Sequence, residues 1–231
     1  LLDTVWNPGI EKAKGEVEAM QEIILEEGGN FKLEAWDWWH YSEKLRQEKF
    51  DFKEEEVKPY FSEDKVLKGA FEVAEKLFEI TFTERDDLPK YREDIRTFVV
   101  EDFNNQVIGI FYTDFTQRPN KGGGAWMNTF RSQSKFEGKT IPIVINVCNF
   151  PPKNVDGVPL LSFEQVETLF HEFGHGLHGL LSDVNYPSLS GTAVTRDYVE
   201  FPSQMMENWA REPEVIKTCL LYTSPSPRDI R

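Results

Sequence analysis

The segment from Ser162 to Leu177 constrains the fold of this chain more than any other. Ser162 and Gln165 stand three residues apart, which is the spacing of a capping box at the start of a helix. Apolar residues then recur at helical intervals, at Val166, Leu169, Phe170, Phe173 and Leu177. The pattern predicts an amphipathic helix with one face buried.

The same helix carries the sequence H-E-F-G-H at residues 171–175, an H-E-x-x-H motif. Residues four apart on a helix share a face and lie about 6 Å apart along the axis, so the two imidazoles can converge on one ion. Glu172 is rotated by roughly 100° from His171, which places its carboxylate beside the ion as a base. We therefore expect metal-assisted hydrolysis, with His171 and His175 as metal ligands and Glu172 as the catalytic residue.

Zinc suits this pattern because imidazole is a borderline ligand and catalytic zinc keeps three protein ligands and one open position. The candidate for the third ligand is Glu200, at the start of a predicted helix with Asp197 near its N-cap and Pro202 in its early turns. We expect one zinc ion held by His171, His175 and Glu200. From the motif alone, a surface helix with two unrelated histidines remains the alternative.

Other polar residues near the motif are weaker candidates. His178, one turn beyond His175, is expected to be a packed or exposed histidine rather than a fourth ligand. Glu167 and Glu207 either orient the imidazoles or are solvated, and both interpretations stay open. Ser190 and Thr192 either approach a substrate backbone or belong to a plain turn.

Upstream of the motif, apolar periodicity predicts three helices and then a change to strands. The helices are expected at 7–29, with Asn7 as N-cap and Pro8 at the first position, at 34–49, with Trp36 and Trp39 on the inward face, and at 62–80. Strands are expected at 97–101 and 107–113, paired as a hairpin, and at 141–149. The glycines at 122–124 predict a turn.

These elements predict a mostly α-helical protein with a small β-sheet next to the active-site helix. Residues 1–95 are expected to form a helical part and residues 96–218 the catalytic part. Residues 219–231, CLLYTSPSPRDIR, resemble a translated sequencing adapter. We expect this tail to be foreign, with an ordinary Pro-Ser linker as the alternative.

Composition excludes some classes of function. The net charge of −14 and the lack of clustered Lys and Arg argue against nucleic-acid binding. No apolar run approaches the roughly 20 residues that cross a bilayer, so no membrane partner is expected. Two cysteines give no disulfide framework and fit a reducing compartment. We expect a cytoplasmic monomer, with the periplasm as the alternative because the chain begins at Leu1 and not at Met.

Longer stretches carry a family resemblance. HEFGHGLHGL, followed by YPSLSGTAVTRDYVEFPSQMMENWA, resembles the thimet oligopeptidase family of zinc peptidases. LEAWDWWHYSEKLRQEKFD, GGAWMNTF and INVCNF resemble the dipeptidyl carboxypeptidase branch of that family. The resemblance spans nearly all of residues 1–218. It implies His171 and His175 as the histidine ligands, Glu200 as the glutamate ligand and Glu172 as the general base.

The resemblance also implies a helical, zincin-like, two-lobed ellipsoid with zinc at the floor of a channel that admits short unfolded peptides. The implied reaction releases C-terminal dipeptides. An oligopeptidase that cuts internally is one alternative, and a noncatalytic peptide-binding protein is another. The loop that stabilises the oxyanion in this family would lie downstream of residue 218, so we expect this chain alone to be inactive.

Overall fold

A computed structural model describes residues 2–50, 54–153 and 157–220 of the chain. The chain forms two compact units, Leu1–Glu56 and Val57–Arg231. This division lies upstream of the predicted one at 95/96, which separates a helical from a catalytic part and stays a prediction. No helix in the described ranges is both long enough and apolar enough to cross a lipid bilayer.

The first unit contains helices α1 (Leu2–Glu26) and α2 (Trp38–Phe50). Its core is formed by Met20, Ile23, Ile24, Leu33 and Tyr41. The predicted N-cap at Asn7 is wrong, because α1 begins at Leu2 and Pro8 lies inside it. Pro8 is the seventh residue of α1, where a proline removes one backbone hydrogen bond, and the helix continues through it.

The predicted start of the second helix at residue 34 is also wrong. The Asp37 carboxylate accepts a hydrogen bond from the Glu34 amide, a local contact that competes with helix formation, and α2 begins at Trp38. Tyr41 then takes the buried face, whereas Trp36 and Trp39 are 80% and 83% exposed. The inward prediction for these two tryptophans therefore fails.

Two short helical segments, α3 (Glu54–Val57) and a 3-10 turn (Lys58–Tyr60), lead to helix α4 (Glu63–Phe78). The Ser62 side chain caps α4 by accepting a hydrogen bond from the Lys65 amide. The predicted helix at 62–80 is confirmed.

A five-stranded sheet follows, with strand order β1-β2-β3-β5-β4. The strands are β1 (Thr81–Glu84), β2 (Arg96–Glu101), β3 (Val107–Thr116), β4 (Trp126–Arg131) and β5 (Ile143–Phe150). The β2–β3 hairpin and the strand β5 are confirmed predictions. β3 and β5 pair in parallel and the other neighbours are antiparallel. Because β1 and β4 were not predicted, the sheet is larger than expected and the described part of the chain is mixed α and β.

Helix α5 (Phe163–Leu180) packs on this sheet, as predicted. Its capping box is present, with the side chains of Ser162 and Gln165 each accepting an amide hydrogen bond. The ring of Phe173 lies 5.7 Å from the ring of Phe111 on β3 and 5.6 Å from that of Phe71 on α4. These aromatic contacts anchor the H-E-x-x-H helix to the core of the unit.

After a 3-10 turn (Pro187–Leu189), helices α6 (Phe201–Ala210) and α7 (Pro213–Cys219) complete the unit, and α6 packs against α5. Glu200 occupies the N-cap of α6, so the predicted cap near Asp197 is wrong, whereas Pro202 does lie in the first turn. Cys219 is buried at the end of α7. Most of the suspected adapter, 221–231, lies outside the described residues, and its foreign origin stays a prediction.

Candidate metal centre

His171, His175 and Glu200 converge at the crossing of α5 and α6. The Nε2 atoms of both imidazoles lie 3.1 Å from the same carboxylate oxygen of Glu200. In the described part of the chain, these three residues form a group whose donor atoms all lie within 4.8 Å of one another. The spatial convergence expected from the sequence is therefore present.

Local structure explains how each side chain reaches this point. His171 and His175 stand one turn apart on α5 and share a face. Glu200 precedes the first turn of α6, where the fully buried Ser203 hydroxyl donates to the Glu200 carboxylate over 2.8 Å. The carboxylate is thus oriented by a side chain from the first turn of α6.

The donor set fits a zinc ion. Two donors about 2.1 Å from one tetrahedral zinc lie about 3.4 Å apart, close to the observed 3.1 Å. The Nδ1 of His171 lies 2.6 Å from the Glu207 carboxylate, an arrangement that leaves Nε2 free to bind a metal. Of the two open candidates for an orienting role, Glu207 contacts an imidazole, whereas Glu167 pairs with Arg211.

Glu172 lies beside the cluster and is 5% exposed. Its Oε2 is buried and has no hydrogen-bond partner among the described residues. Burial, with a contribution from the Glu200 charge and against the effect of His171, raises the pKa of Glu172 to about 7. A carboxylate with such a pKa can accept and release a proton near neutral pH.

The pKa values of the neighbouring groups shift in the directions that favour metal binding. Burial lowers the pKa of His175, which favours the neutral imidazole that a metal requires. Burial alone would raise the pKa of Glu200, but the Ser203 hydrogen bond and the two histidines outweigh it and lower that pKa. Glu200 is therefore held as a carboxylate.

An open cavity of about 330 Å³ lies over the cluster. Ala125, Trp126 and Met127 of the β4 segment form one wall, and Thr192 and Val199 complete the lining. Sequence analysis missed the wall from β4, although GGAWMNTF was among the segments that carried the family resemblance. Ser190 is buried and is not part of this lining.

His178 lies outside the cluster. It lines a separate apolar groove of about 540 Å³ together with Tyr198 and Phe201. Burial lowers its pKa, and its Nδ1 has no hydrogen-bond partner in the described ranges. Its position agrees with the expectation of a packed histidine.

Three residues that could hold a metal ion, two of them on a capped helix, with a buried carboxylate beside them and an open cavity above them, define a candidate metal-dependent hydrolase. The chain belongs to peptidase family M3, whose family model matches residues 1–223. The family resemblance drawn from the motifs is thereby confirmed.

Three relatives show the range of similarity. The chain is 45% identical to dipeptidyl carboxypeptidase of Escherichia coli (strain K12) over 206 residues, which cover 89% of this chain and 30% of that protein. It is 40% identical to oligopeptidase A of the same strain over 205 residues, which cover 87% of this chain and 30% of that protein. It is 31% identical to thimet-like oligopeptidase of Dictyostelium discoideum over 205 residues, which cover 85% of this chain and 30% of that protein. The chain thus spans about 30% of the length of these curated relatives.

Proposed function

We propose that this chain carries the metal centre of a zinc-dependent peptidase that releases C-terminal dipeptides from short peptides. The observation that carries the proposal is the convergence of His171, His175 and Glu200 at 3.1 Å. The proposed release of C-terminal dipeptides is supported by the 45% identity to a dipeptidyl carboxypeptidase, compared with 40% identity to oligopeptidase A.

In this proposal His171, His175 and Glu200 hold one zinc ion. A zinc ion held there would act as a Lewis acid, which would polarise a carbonyl and lower the pKa of water from 15.7 towards about 7. Glu172 accepts the proton of the attacking water and passes it to the leaving amine. Its burial beside the cluster, with one oxygen unpartnered among the described residues, supports that role. The cavity wall formed by Ala125 to Met127 holds the peptide next to these groups.

Further parts of the proposal rest on the family and the composition. We propose a zincin-like fold, in line with membership of family M3. We also propose a monomer in the cytoplasm; the buried free thiol of Cys148 fits a reducing compartment.

A second candidate is an oligopeptidase that cuts internally, which the 40% identity to oligopeptidase A favours. The two differ in what they require of the substrate, because release of a C-terminal dipeptide requires a free terminal carboxylate. A noncatalytic peptide-binding protein differs from both, because it needs neither zinc nor Glu172.

The test uses the protein expressed from the complete reading frame that contains these residues, here called the complete protein. Zinc content is measured after dialysis, and hydrolysis is followed on one short peptide with a free and with an amidated C-terminus. We expect about one zinc per chain and cleavage of the free peptide alone. Cleavage of both peptides would favour the oligopeptidase, and absence of zinc would refute the metal centre.

A further inference from the structure

Gly174 lies next to the metal cluster, at the point where helix α5 contacts the first turn of helix α6. It is three residues after His171, so it is a neighbour of His171 on the surface of α5. A Cβ atom at this position would lie 2.7 Å from the Cα of Ser203 and 2.8 Å from the carbonyl oxygen of Pro202. Both are backbone atoms in the first turn of α6, so no rotation of a side chain can relieve the overlap.

We propose that Gly174 is a positioning residue for the metal centre. Its missing side chain lets the first turn of α6 lie against α5 so closely that the Glu200 carboxylate reaches both imidazoles. The inference rests on the proposed function, since it takes His171, His175 and Glu200 as the ligands of one ion.

Ser203 transmits the contact to the ligand. Its Cα is the atom nearest to the position of a Cβ at residue 174, and its hydroxyl donates to both the carboxylate and the backbone carbonyl of Glu200, over 2.8 and 2.9 Å. Ser203 is fully buried, so its side chain cannot turn out into solvent when its backbone is pushed. Displacing Ser203 therefore displaces the Glu200 carboxylate with it.

The size of this displacement can be compared with the variation in metal–ligand distances that a bound ion allows. Non-bonded carbon atoms pack at about 3.5–4.0 Å, so a contact of 2.7 Å has to lengthen by roughly 0.8 Å or more. Metal–ligand distances are held to within about 0.2 Å. An alanine at residue 174 would therefore move the Glu200 carboxylate beyond the range in which it can bind the same ion as the histidines.

Gly179, five residues further along α5, provides a matched control. A Cβ there would also lie 2.7 Å from its nearest atom, but that atom is the terminal methyl group of Met127, and the next is a methyl group of Val144 at 2.9 Å. The Met127 methyl group ends a flexible side chain that can turn aside, and both contacts are with residues of the sheet, so neither pushes on α6 or on Glu200. G174A and G179A are the same substitution in the same helix, and they differ in the kind of atom that they meet.

The experiment measures zinc dissociation constants for the complete protein and for G174A, E200Q, G174A/E200Q and G179A. We expect G174A to weaken zinc binding at least about tenfold and G179A to change it less than about twofold. The double variant should bind zinc as E200Q does, because Gly174 acts through Glu200 and the two losses should not multiply. The visible spectrum of the cobalt-substituted protein should change in the same way for G174A and E200Q.

The rise in Tm that zinc produces within each variant separates metal affinity from a general loss of stability. Zinc binding by G174A equal to that of the unchanged protein, while E200Q binds weakly, would overturn the positioning role alone. Losses that multiply in the double variant would also overturn it, because they would show that Gly174 acts independently of Glu200. Normal zinc binding by E200Q would instead refute the metal centre itself.

Discussion

The Nδ1 atom of His171 lies 2.6 Å from the Oε1 atom of Glu207, a residue 36 positions further along the chain. An imidazole whose Nδ1–H donates to a carboxylate presents the lone pair of Nε2, here towards Glu200 and His175. The contact joins α5 to the second turn of α6. It supports the cluster from the side of the imidazole opposite to Nε2.

This contact predicts that E207A weakens zinc binding by about 10–100-fold, because the imidazole loses the group that fixes its orientation. E167A is the control, since Glu167 pairs with Arg211 and contacts no imidazole. Competition with a chromogenic chelator measures both affinities. Equal affinities in the two variants would show that Glu207 does not support His171.

Replacing Glu172 with Gln is predicted to abolish turnover while zinc is retained. The amide keeps the size of the side chain but cannot accept a proton, so hydrolysis by the complete protein should fall by about 10²–10⁴-fold. E164Q is the control, because Glu164 lies on the exposed side of the same helix. If E172Q hydrolysed peptides at the rate of E164Q, Glu172 would not be the base.

A buried ion network at the end of β3 predicts a different effect, on stability. The Asp114 carboxylate, 3% exposed, accepts hydrogen bonds from Arg118, Lys121 and Tyr91. Burial alone would raise the pKa of Asp114, but these three donors outweigh it and hold that pKa well below its ordinary value. The Lys121 ammonium also donates to the Cys148 carbonyl on β5, so the network ties the parallel pair β3–β5 together.

We expect D114N to lower the free energy of unfolding by about 3–5 kcal/mol at pH 7, because it leaves two cations without their carboxylate. The folded-state pKa is depressed, so the stabilisation is present above the unfolded pKa of about 3.9 and is lost as the pH falls through the lower folded value. Denaturant titrations at pH 7 and pH 3 should therefore show that D114N and the unchanged protein differ less in their free energy of unfolding at pH 3. The control D183N breaks an exposed ion pair with Lys135 and should cost less than about 1 kcal/mol.

For Glu63, in the first turn of α4, we expect the free energy of unfolding to change with pH in the direction opposite to that for Asp114. Burial, only partly offset by Arg96, raises the pKa of Glu63 to about 7. Ionising a group whose folded pKa is raised costs stability, so the free energy of unfolding should fall as the pH rises from about 4.5 to about 7. E63Q removes this cost.

We expect E63Q to be more stable than the unchanged protein by about 1–3 kcal/mol at pH 8 and equally stable at pH 4. Denaturant titrations at both pH values measure the difference, and E164Q, at an exposed first-turn position of α5, should show no such change. A stability difference for E63Q that is the same at pH 4 and pH 8 would contradict the raised pKa.

Local features of the chain were predictable because they depend on neighbouring residues. The capping box at Ser162 and the apolar period after it specify α5, and a spacing of four residues places His171 and His175 on one face. The β2–β3 hairpin and β5 were readable for the same reason, since their β-branched and aromatic runs are continuous. Glu200 was a candidate ligand from its place at the start of a predicted helix, and the family resemblance implied the same role.

Features that depend on packing were not predictable. Trp36 and Trp39 fit a helical stripe, yet the Asp37 carboxylate accepts a hydrogen bond from the Glu34 amide, the helix begins only at Trp38, and Tyr41 takes the buried face instead of the two tryptophans. The edge strand β4 has four exposed residues among its six and lacks a buried apolar run, so it was missed even though it borders the cavity.

The approach of α6 to α5 is the clearest case of a feature that sequence spacing does not contain. Periodicity and caps act over a few residues, through backbone hydrogen bonds and the repeat of the helix. The positions of Glu200 and Glu207 relative to the histidines depend instead on a contact at Gly174 that is closer than any side chain allows. Such a contact exists only once two helices distant in sequence have packed together, which is why the motif predicted the chemistry and the fold supplied its geometry.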